Sequence, residues 1–175
     1  MTNSEAAKIV RTILCRGLTI QQTEQIVNAM VPTTVPAGGA VFREEDRAQG
    51  LFVLLEGSVE VVKEGGPGGV VVIATVEAPS VLGEMSLITD RPHSATVRAR
   101  TNCVFRLLTR AQFDRLLQGE SLAAYKVVAT LADVIAWRLS RMDEKFVELS
   151  SRGEYPQPVE ELATFKQKLF NEWNY

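Results

Sequence analysis

The chain has 175 residues, a length typical of one domain, and its 46% hydrophobic and 23% charged residues suit a globular protein. The formal net charge of −2 gives no general attraction to nucleic acid or acidic membranes. Cys15 and Cys103 are too few and too far apart for a disulfide framework or zinc site, so both are expected to be reduced and buried. No apolar run reaches the ~18 residues of a membrane span and no secretory leader opens the chain, which predicts a cytoplasmic protein.

The first thirty residues carry the pattern of two helices. Residues 5–14 repeat apolar side chains on one helical face, which predicts the first helix. Thr19 followed by Gln22 is a capping box, and it predicts a second helix that ends near Met30. Pro32 then favours extended chain.

Between residues 33 and 109 the apolar runs shorten to strand length. Several short strands at regular spacing predict an antiparallel β-sandwich or β-roll, and with the flanking helices an α+β fold. Glu56-Gly57-Ser58 predicts a tight hairpin. The glycine-rich loop 65–69 is not a triphosphate loop, because no Lys-Ser or Lys-Thr follows it and a strand replaces the required helix. Strand-sized runs are residues 40–42, 51–55, 59–62, 70–76, 95–99 and 104–108.

Two more helices are predicted after the roll. Thr109 and Gln112 form another capping box, which opens a short helix ending near Gly119. A long helix over residues 121–149 has apolar residues at alternating spacings of three and four for more than three heptads, the pattern of a coiled-coil seam. The seam consists of Tyr125, Val128, Ala132, Ile135, Leu139, Met142, Phe146 and Leu149. A second, separate apolar set on the same helix consists of Val127, Leu131, Val134 and Trp137.

Two apolar stripes on one helix indicate two partners. We expect one stripe to pack on the roll and the other to form a homodimer through helix 121–149. The alternative is that the seam packs only on its own roll and on the last helix of its own chain.

The chain is predicted to form one domain. Its main part, residues 1–153, has helices in 5–30, the β-roll in 33–109 and helices in 110–150. The rest of that domain, residues 154–175, is a Pro-containing linker followed by an amphipathic helix over 159–173, which either packs on the roll or acts as a lid or transmission element. One final helix is too little for a winged helix-turn-helix, so no nucleic-acid partner is expected.

His93 is the chain's only histidine, which removes most Ser/His and Cys/His schemes and any multi-histidine metal site. No catalytic residue, metal site or cofactor is therefore predicted, and the chain is expected to be a binding or interaction module rather than an enzyme.

The most informative stretch is residues 83–97, Gly-Glu-Met-Ser-Leu-Ile-Thr-Asp-Arg-Pro-His-Ser-Ala-Thr-Val. Gly83 permits close backbone approach, and residues 84–88 can form one helical turn whose free N–H groups suit an anion. The Glu84 carboxylate is suited to accept hydrogen bonds from hydroxyls such as a ribose 2′-OH. The small residues 94–96 leave further backbone N–H groups within reach of a ligand oxygen.

This stretch resembles the phosphate-binding cassette of the cyclic-nucleotide-binding domain family, which includes the bacterial catabolite activator and the regulatory subunits of cyclic-AMP-dependent kinase. Residues 36–61 are similar to the family's opening strands, although Glu45-Asp46 stands where many members have Gly-Asp. The resemblance covers roughly residues 18–150. It implies a non-catalytic β-roll that binds a cyclic nucleotide and that often dimerises through the long helix.

The resemblance also implies roles for single residues. Gly83, Ser86 and Ala95 would offer backbone N–H groups to the cyclic phosphate, and Glu84 would accept from the ribose 2′-OH. Ser94 carries a hydroxyl where some members use one to favour guanine. The implied ligand-binding residues are Gly83, Glu84, Met85, Ser86, His93, Ser94 and Ala95, with Arg91 as a further candidate.

His93 stands where the family pattern places an arginine. A guanidinium pairs bidentately with phosphate, whereas imidazole offers one donor and is mostly neutral at pH 7. A charge-assisted hydrogen bond is worth about 1.5–3 kcal/mol, so this change is expected to weaken binding roughly tenfold to more than a hundredfold. Two effects would compensate for the missing arginine. A bound phosphate would raise the pKa of His93 and favour imidazolium, or Arg91 would enter the pocket from two residues earlier. The third alternative is that His93 is a solvent-facing loop residue.

Two functional hypotheses follow. The first is a dimeric sensor of cAMP or cGMP that acts on a partner protein. The second is a degenerate roll that has lost its ligand and serves as a dimeric scaffold or protein-interaction module.

Overall fold

In the part of the chain that the structure describes, eight strands form two four-stranded antiparallel sheets, which confirms the predicted α+β architecture and β-roll. The computed structural model describes residues 2–65, 69–89, 91–119 and 122–151. In chain order the strands are β1 (Val31–Val35), β2 (Ala40–Phe42), β3 (Gly50–Glu56), β4 (Ser58–Glu64), β5 (Val70–Glu77), β6 (Ser80–Leu82), β7 (Thr96–Ala99) and β8 (Cys103–Thr109). One sheet has the order β1-β8-β3-β6 and the other β2-β7-β4-β5.

The core lies between the inner faces of these two sheets. Strand β3 is buried from Gly50 to Leu55 because β8 and β6 flank it on both sides. Its Phe52 packs edge-on against Phe105 of β8, with ring centroids 6.0 Å apart. Each fully buried side chain of this kind contributes about 1.5–3 kcal/mol of burial free energy. The buried residues between the two sheets therefore supply much of the stability of the roll.

The predicted hairpin at residues 56–58 is wrong. Strands β3 and β4 follow each other there but lie in different sheets, since β3 pairs with β6 and β8 and β4 pairs with β5 and β7. Gly57, with φ +96°, carries the chain between the sheets, and a Cβ on it would lie 2.6 Å from the carbonyl oxygen of Asn102. The turn predicted at Gly57 is present, but the strands with which β3 and β4 pair are distant in the sequence.

Five helices accompany the strands in the described residues: α1 (Asn3–Ile13), α2 (Ile20–Ala29), α3 (Glu84–Thr89), α4 (Arg110–Gln118) and α5 (Leu122–Ser151). The capping boxes predicted at Thr19 and Thr109 are both present. A further capping box between Thr2 and Glu5 begins α1 two residues earlier than the sequence pattern predicted.

The described residues divide into two units on either side of the boundary between Asp133 and Val134. Within the first unit, Val127 and Leu131 of α5 are fully buried, as expected for the stripe that faces the chain's own core. Trp137 of the same set, which belongs to the second unit, is exposed. Seam residues Tyr125, Leu139 and Met142 are exposed as well.

The predicted linker and final helix, residues 154–175, lie outside the described residues, so the predicted domain boundary stays a prediction. In the part of the chain that the structure describes, the helices are too short or too polar to cross a membrane.

Candidate ligand-binding site

The cassette begins with a glycine that the local backbone requires. Gly83 follows β6 with φ +80°, a left-handed conformation that side chains disfavour. A Cβ at this position would lie 2.8 Å from the carbonyl oxygen of Gly50 and 3.4 Å from Cε1 of His93. The chain then turns directly into α3, the short helix expected from the sequence, with Leu87 N–H donating to the Gly83 carbonyl oxygen at 3.0 Å.

Three polar side chains of the cassette are buried at one corner of the roll. Glu84, Ser86 and His93 are only 5%, 3% and 2% exposed. Ser86 Oγ and His93 Nδ1 lie 3.1 Å apart in a hydrogen bond whose direction depends on the imidazole tautomer. Burying polar groups is unfavourable unless they are hydrogen-bonded, so this cluster is the candidate site of the domain.

The imidazole of His93 forms part of the aromatic core. It stacks on the ring of Phe42, with centroids 3.8 Å apart and planes inclined by 13°. Phe42 in turn packs on Phe52 at 5.6 Å. The reading of His93 as a solvent-facing loop residue is therefore wrong. Its side chain points inward because the backbone of residue 93 is fixed to a neighbouring loop.

That fixation comes from two backbone hydrogen bonds. His93 N–H donates to the carbonyl oxygen of Asp46 at 3.0 Å, and Glu45 N–H donates to the carbonyl oxygen of His93 at 2.9 Å. Glu45 has φ +64°, a left-handed conformation that costs a residue other than glycine about 1–2 kcal/mol. The two hydrogen bonds that hold the backbone of residue 93 form here with a glutamate in that conformation.

Burial lowers the pKa of His93 from its usual value of 6.5, and the negative charges of Asp46 and Glu84 oppose that shift. The imidazole is therefore neutral at pH 7. Its Nε2 atom is buried and has no hydrogen-bond partner within the described segments. A buried polar atom left unpaired costs about 1–3 kcal/mol, so this nitrogen is a candidate contact for a ligand.

Comparison with known proteins identifies the fold and its family. Residues 32–120 match the family model of the cyclic nucleotide-binding domain. The chain belongs to that family.

Two curated relatives and one solved structure illustrate its range. The chain is 31% identical over 96 residues to a cAMP-dependent protein kinase regulatory subunit of Yarrowia lipolytica, covering 55% of this chain and 25% of that protein. It is 28% identical over 116 residues to a cGMP-dependent protein kinase of Drosophila melanogaster, covering 66% and 10%. It therefore spans a quarter or less of the length of these relatives.

A cyclic nucleotide-binding domain from Methylobacillus flagellatus shares the fold with a TM-score of 0.78. The two chains are 24% identical, and the match covers 90% of this chain and 86% of that one. The roll with its flanking helices is thus the shared part of the molecule.

Within this cyclic nucleotide-binding domain, the predicted site residues separate into two groups. The structure brings Gly83, Glu84, Ser86 and His93 together at the buried corner. Met85, Arg91 and Ser94 are exposed and Ala95 is half-buried. Arg91 is thus outside the corner in this structure, and the inward position belongs to His93.

Three further residues contribute to this corner, and their roles are not predictable from the sequence. Phe42 ends an ordinary apolar strand run, and its local pattern gives no sign that it stacks on His93. Asp46 supplies both a backbone acceptor and a charge. Arg110 donates from Nη1 to the carbonyl oxygen of Leu87 at 3.0 Å and so ties α3 to α4. Only its place directly after the Thr109 cap was visible in the sequence.

A surface cavity of about 540 Å³ lies beside the loop after β2. Arg43, Glu44, Glu45, Glu64 and Thr96 line it. Three carboxylates make this cavity unsuitable for a phosphate, so an anion is better accommodated at the cassette itself.

Proposed function

We propose that the chain is a non-catalytic regulatory domain that binds a 3′,5′-cyclic nucleotide, cAMP or cGMP, at the cassette. The observation that carries this proposal is the buried polar corner of Glu84, Ser86 and His93 beside the left-handed Gly83. Family membership supports the ligand class, and relatives named for cAMP and for cGMP support both bases as candidates.

The proposal assigns roles to the residues of the corner and to Ser94 and Ala95, which follow His93 in the sequence. The backbone N–H groups of Gly83, Ser86 and Ala95 donate to the cyclic phosphate, since N–H donors are the usual protein partners of phosphate oxygens. The Glu84 carboxylate accepts from the ribose 2′-OH. His93 stands where the family pattern has its arginine. The Ser94 hydroxyl gives a weak preference for guanine.

The long helix supports a second element of the proposal, a homodimer. Seam residues Tyr125, Leu139 and Met142 are exposed, although apolar residues at heptad spacing are normally buried against a partner helix. Helix 121–149 pairing with its copy would bury them. In a sensor, ligand occupancy changes the helices after the roll and thereby the contact with a partner protein. The cytoplasmic location stays a prediction.

A degenerate scaffold is the second candidate function. The observation that favours it is that His93 is packed on Phe42 in the core, where a long arginine side chain would instead bring a permanent charge to a phosphate. In this reading the corner has been filled by an aromatic contact, and the domain acts through its protein surfaces alone.

Calorimetric titration with cAMP and cGMP at pH 6 and pH 7.5 separates the two. The sensor predicts saturable micromolar binding by the wild-type protein, and Glu84→Gln weakens it about tenfold, the equivalent of ~1.4 kcal/mol. The 2′-deoxy nucleotide is the matched ligand control, because it loses the same contact and its penalty must vanish in Glu84→Gln. Glu24→Gln is the control variant, because it makes the same substitution at an exposed carboxylate of α2 and is expected to bind like wild type.

Two other results decide against the sensor. Binding by His93→Arg but not by wild type indicates an intact corner that has lost its anchor, which is the scaffold. Failure of both proteins to bind either nucleotide removes the cassette as a cyclic-nucleotide site.

A further inference from the structure

The single histidine of this chain lies in a closed niche with one polar atom unused. Phe42 of β2 covers one face of the imidazole, and Ser86 of α3 holds its Nδ1 atom. Nε2 is buried and finds no acceptor or donor among the described residues. Whichever tautomer the Ser86 contact selects, protonation gives an N–H at both ring nitrogens, and Nε2–H then needs an acceptor.

The surroundings are poised between the neutral and the charged ring. Two carboxylates favour an imidazolium, Asp46 from the loop after β2 and Glu84 from α3. Loss of hydration in the niche opposes the charge, and in the ligand-free domain this effect is larger, so the ring is neutral. A negative charge of a ligand close to the ring would act in the same direction as these two carboxylates.

We propose that binding of a cyclic nucleotide at the cassette is coupled to the uptake of one proton by the imidazole of His93. The inference rests on the proposed function and specifies how that site is regulated. The proton comes from solvent, the cyclic phosphodiester keeps its single negative charge, and no covalent bond changes. The imidazolium then donates from Nε2 to a phosphate oxygen after the ring shifts from its contact with Phe42.

This coupling distinguishes the chain from a domain with arginine at the same position. A guanidinium is charged at every physiological pH, so an arginine site binds phosphate without exchanging a proton. A histidine site in a neutral resting state binds more tightly as the pH falls. Between the pKa of the free ring and that of the complex, the dissociation constant changes by up to about tenfold per pH unit.

Proton uptake is measured directly by calorimetry of cAMP or cGMP binding in two buffers with different ionisation enthalpies. The wild-type protein is expected to take up close to one proton at pH 7 and to bind about tenfold more tightly at pH 6.5 than at pH 7.5. His93→Arg is expected to bind with no proton uptake and no pH dependence over that range.

The lone histidine allows a second readout that needs no variant. The imidazole Cε1–H resonance of His93 is titrated by NMR with and without nucleotide. Its midpoint is expected below 6.5 in the free protein. In the complex it is expected above about 7.5, since only then does the affinity change about tenfold between pH 6.5 and pH 7.5. Binding with no proton uptake and an unmoved midpoint overturns the coupling and leaves the proposed function standing. No binding at either pH overturns both.

Discussion

Arg110, the first residue of α4, donates from Nη1 to the carbonyl oxygen of Leu87 in the cassette helix, with the two atoms 3.0 Å apart. Its Nε also donates to Asp114 at 2.9 Å, which fixes the guanidinium in place. Arg110→Met keeps the aliphatic stem and removes both contacts. We expect it to lower the free energy of unfolding by about 1–2 kcal/mol and to speed hydrogen exchange in α3, because a hydrogen bond from a charged donor is lost.

Arg141→Met is the matched control for this change. Arg141 pairs with Glu144 at 3.1 Å on an exposed helix face, and such pairs contribute about 0.5 kcal/mol or less. Urea denaturation of both variants measures the difference. Equal losses, or unchanged exchange in α3, would show that Arg110 does not hold the cassette.

Two glycines with almost the same backbone conformation separate the cost of that conformation from the cost of a clash. Gly38 has φ +82° and Gly83 has φ +80°. A Cβ at Gly38 meets no atom within 4 Å, whereas at Gly83 it lies 2.8 Å from the carbonyl oxygen of Gly50. We expect Gly38→Ala to cost about 1–2 kcal/mol of stability. Gly83→Ala is expected to cost about 1–3 kcal/mol more, because a backbone atom of β3 must move.

Thermal and chemical denaturation of the two variants provide the comparison. Nucleotide affinity gives an independent readout, since only Gly83→Ala displaces the first residue of the cassette. Similar stability for both proteins would mean that β3 yields without cost, and the close approach of Gly83 to Gly50 would then not fix the site.

The stability of the ligand-free protein is expected to depend on the ionisation of His93. Burial lowers its pKa in the folded state, so the unfolded chain binds more protons and stability rises with pH. The contribution is fully present above the unfolded pKa of about 6.5 and is lost as the pH falls below it, with a slope of at most about 1.4 kcal/mol per pH unit.

His93→Gln removes this titration while keeping a polar side chain in the niche. The free energy of unfolding is measured from pH 7.5 to pH 5.5, above the range in which most carboxylates titrate. Wild type must lose more stability over this window than the variant. Parallel profiles would show that the ring already gains as much from Asp46 and Glu84 as it loses through burial.

The features that the sequence predicts well are those decided within a few residues. The Thr19 and Thr109 caps are local hydrogen-bond patterns, and both are present. The turn at Gly57 is also local, but its strand pairing depends on contacts with distant residues, and the hairpin was wrong.

The cassette shows the same division. Its short helix and its glycine follow from adjacent residues, and the structure places them as expected. The stack of His93 on Phe42 joins residues 51 positions apart, and it depends on the clamp that Asp46 and Glu45 make with the backbone of residue 93. No pattern near His93 reports that it faces inward, so the sequence left its orientation open.

The exposed seam residues of α5, Tyr125, Leu139 and Met142, predict a dimer that a single charge disrupts. Leu139 is 59% exposed and belongs to the heptad seam, whereas Val147 is 66% exposed and lies off it. Leu139→Glu is expected to convert a dimer into a monomer, because a carboxylate at a seam position is buried and unpaired between the helices. Val147→Glu adds the same charge on another face and is expected to leave the dimer intact. Sedimentation equilibrium gives the mass of each protein, and circular dichroism verifies that the helix content is unchanged. A monomeric wild type, or equal dissociation by both variants, would contradict pairing through this seam, since only the seam position distinguishes the two substitutions.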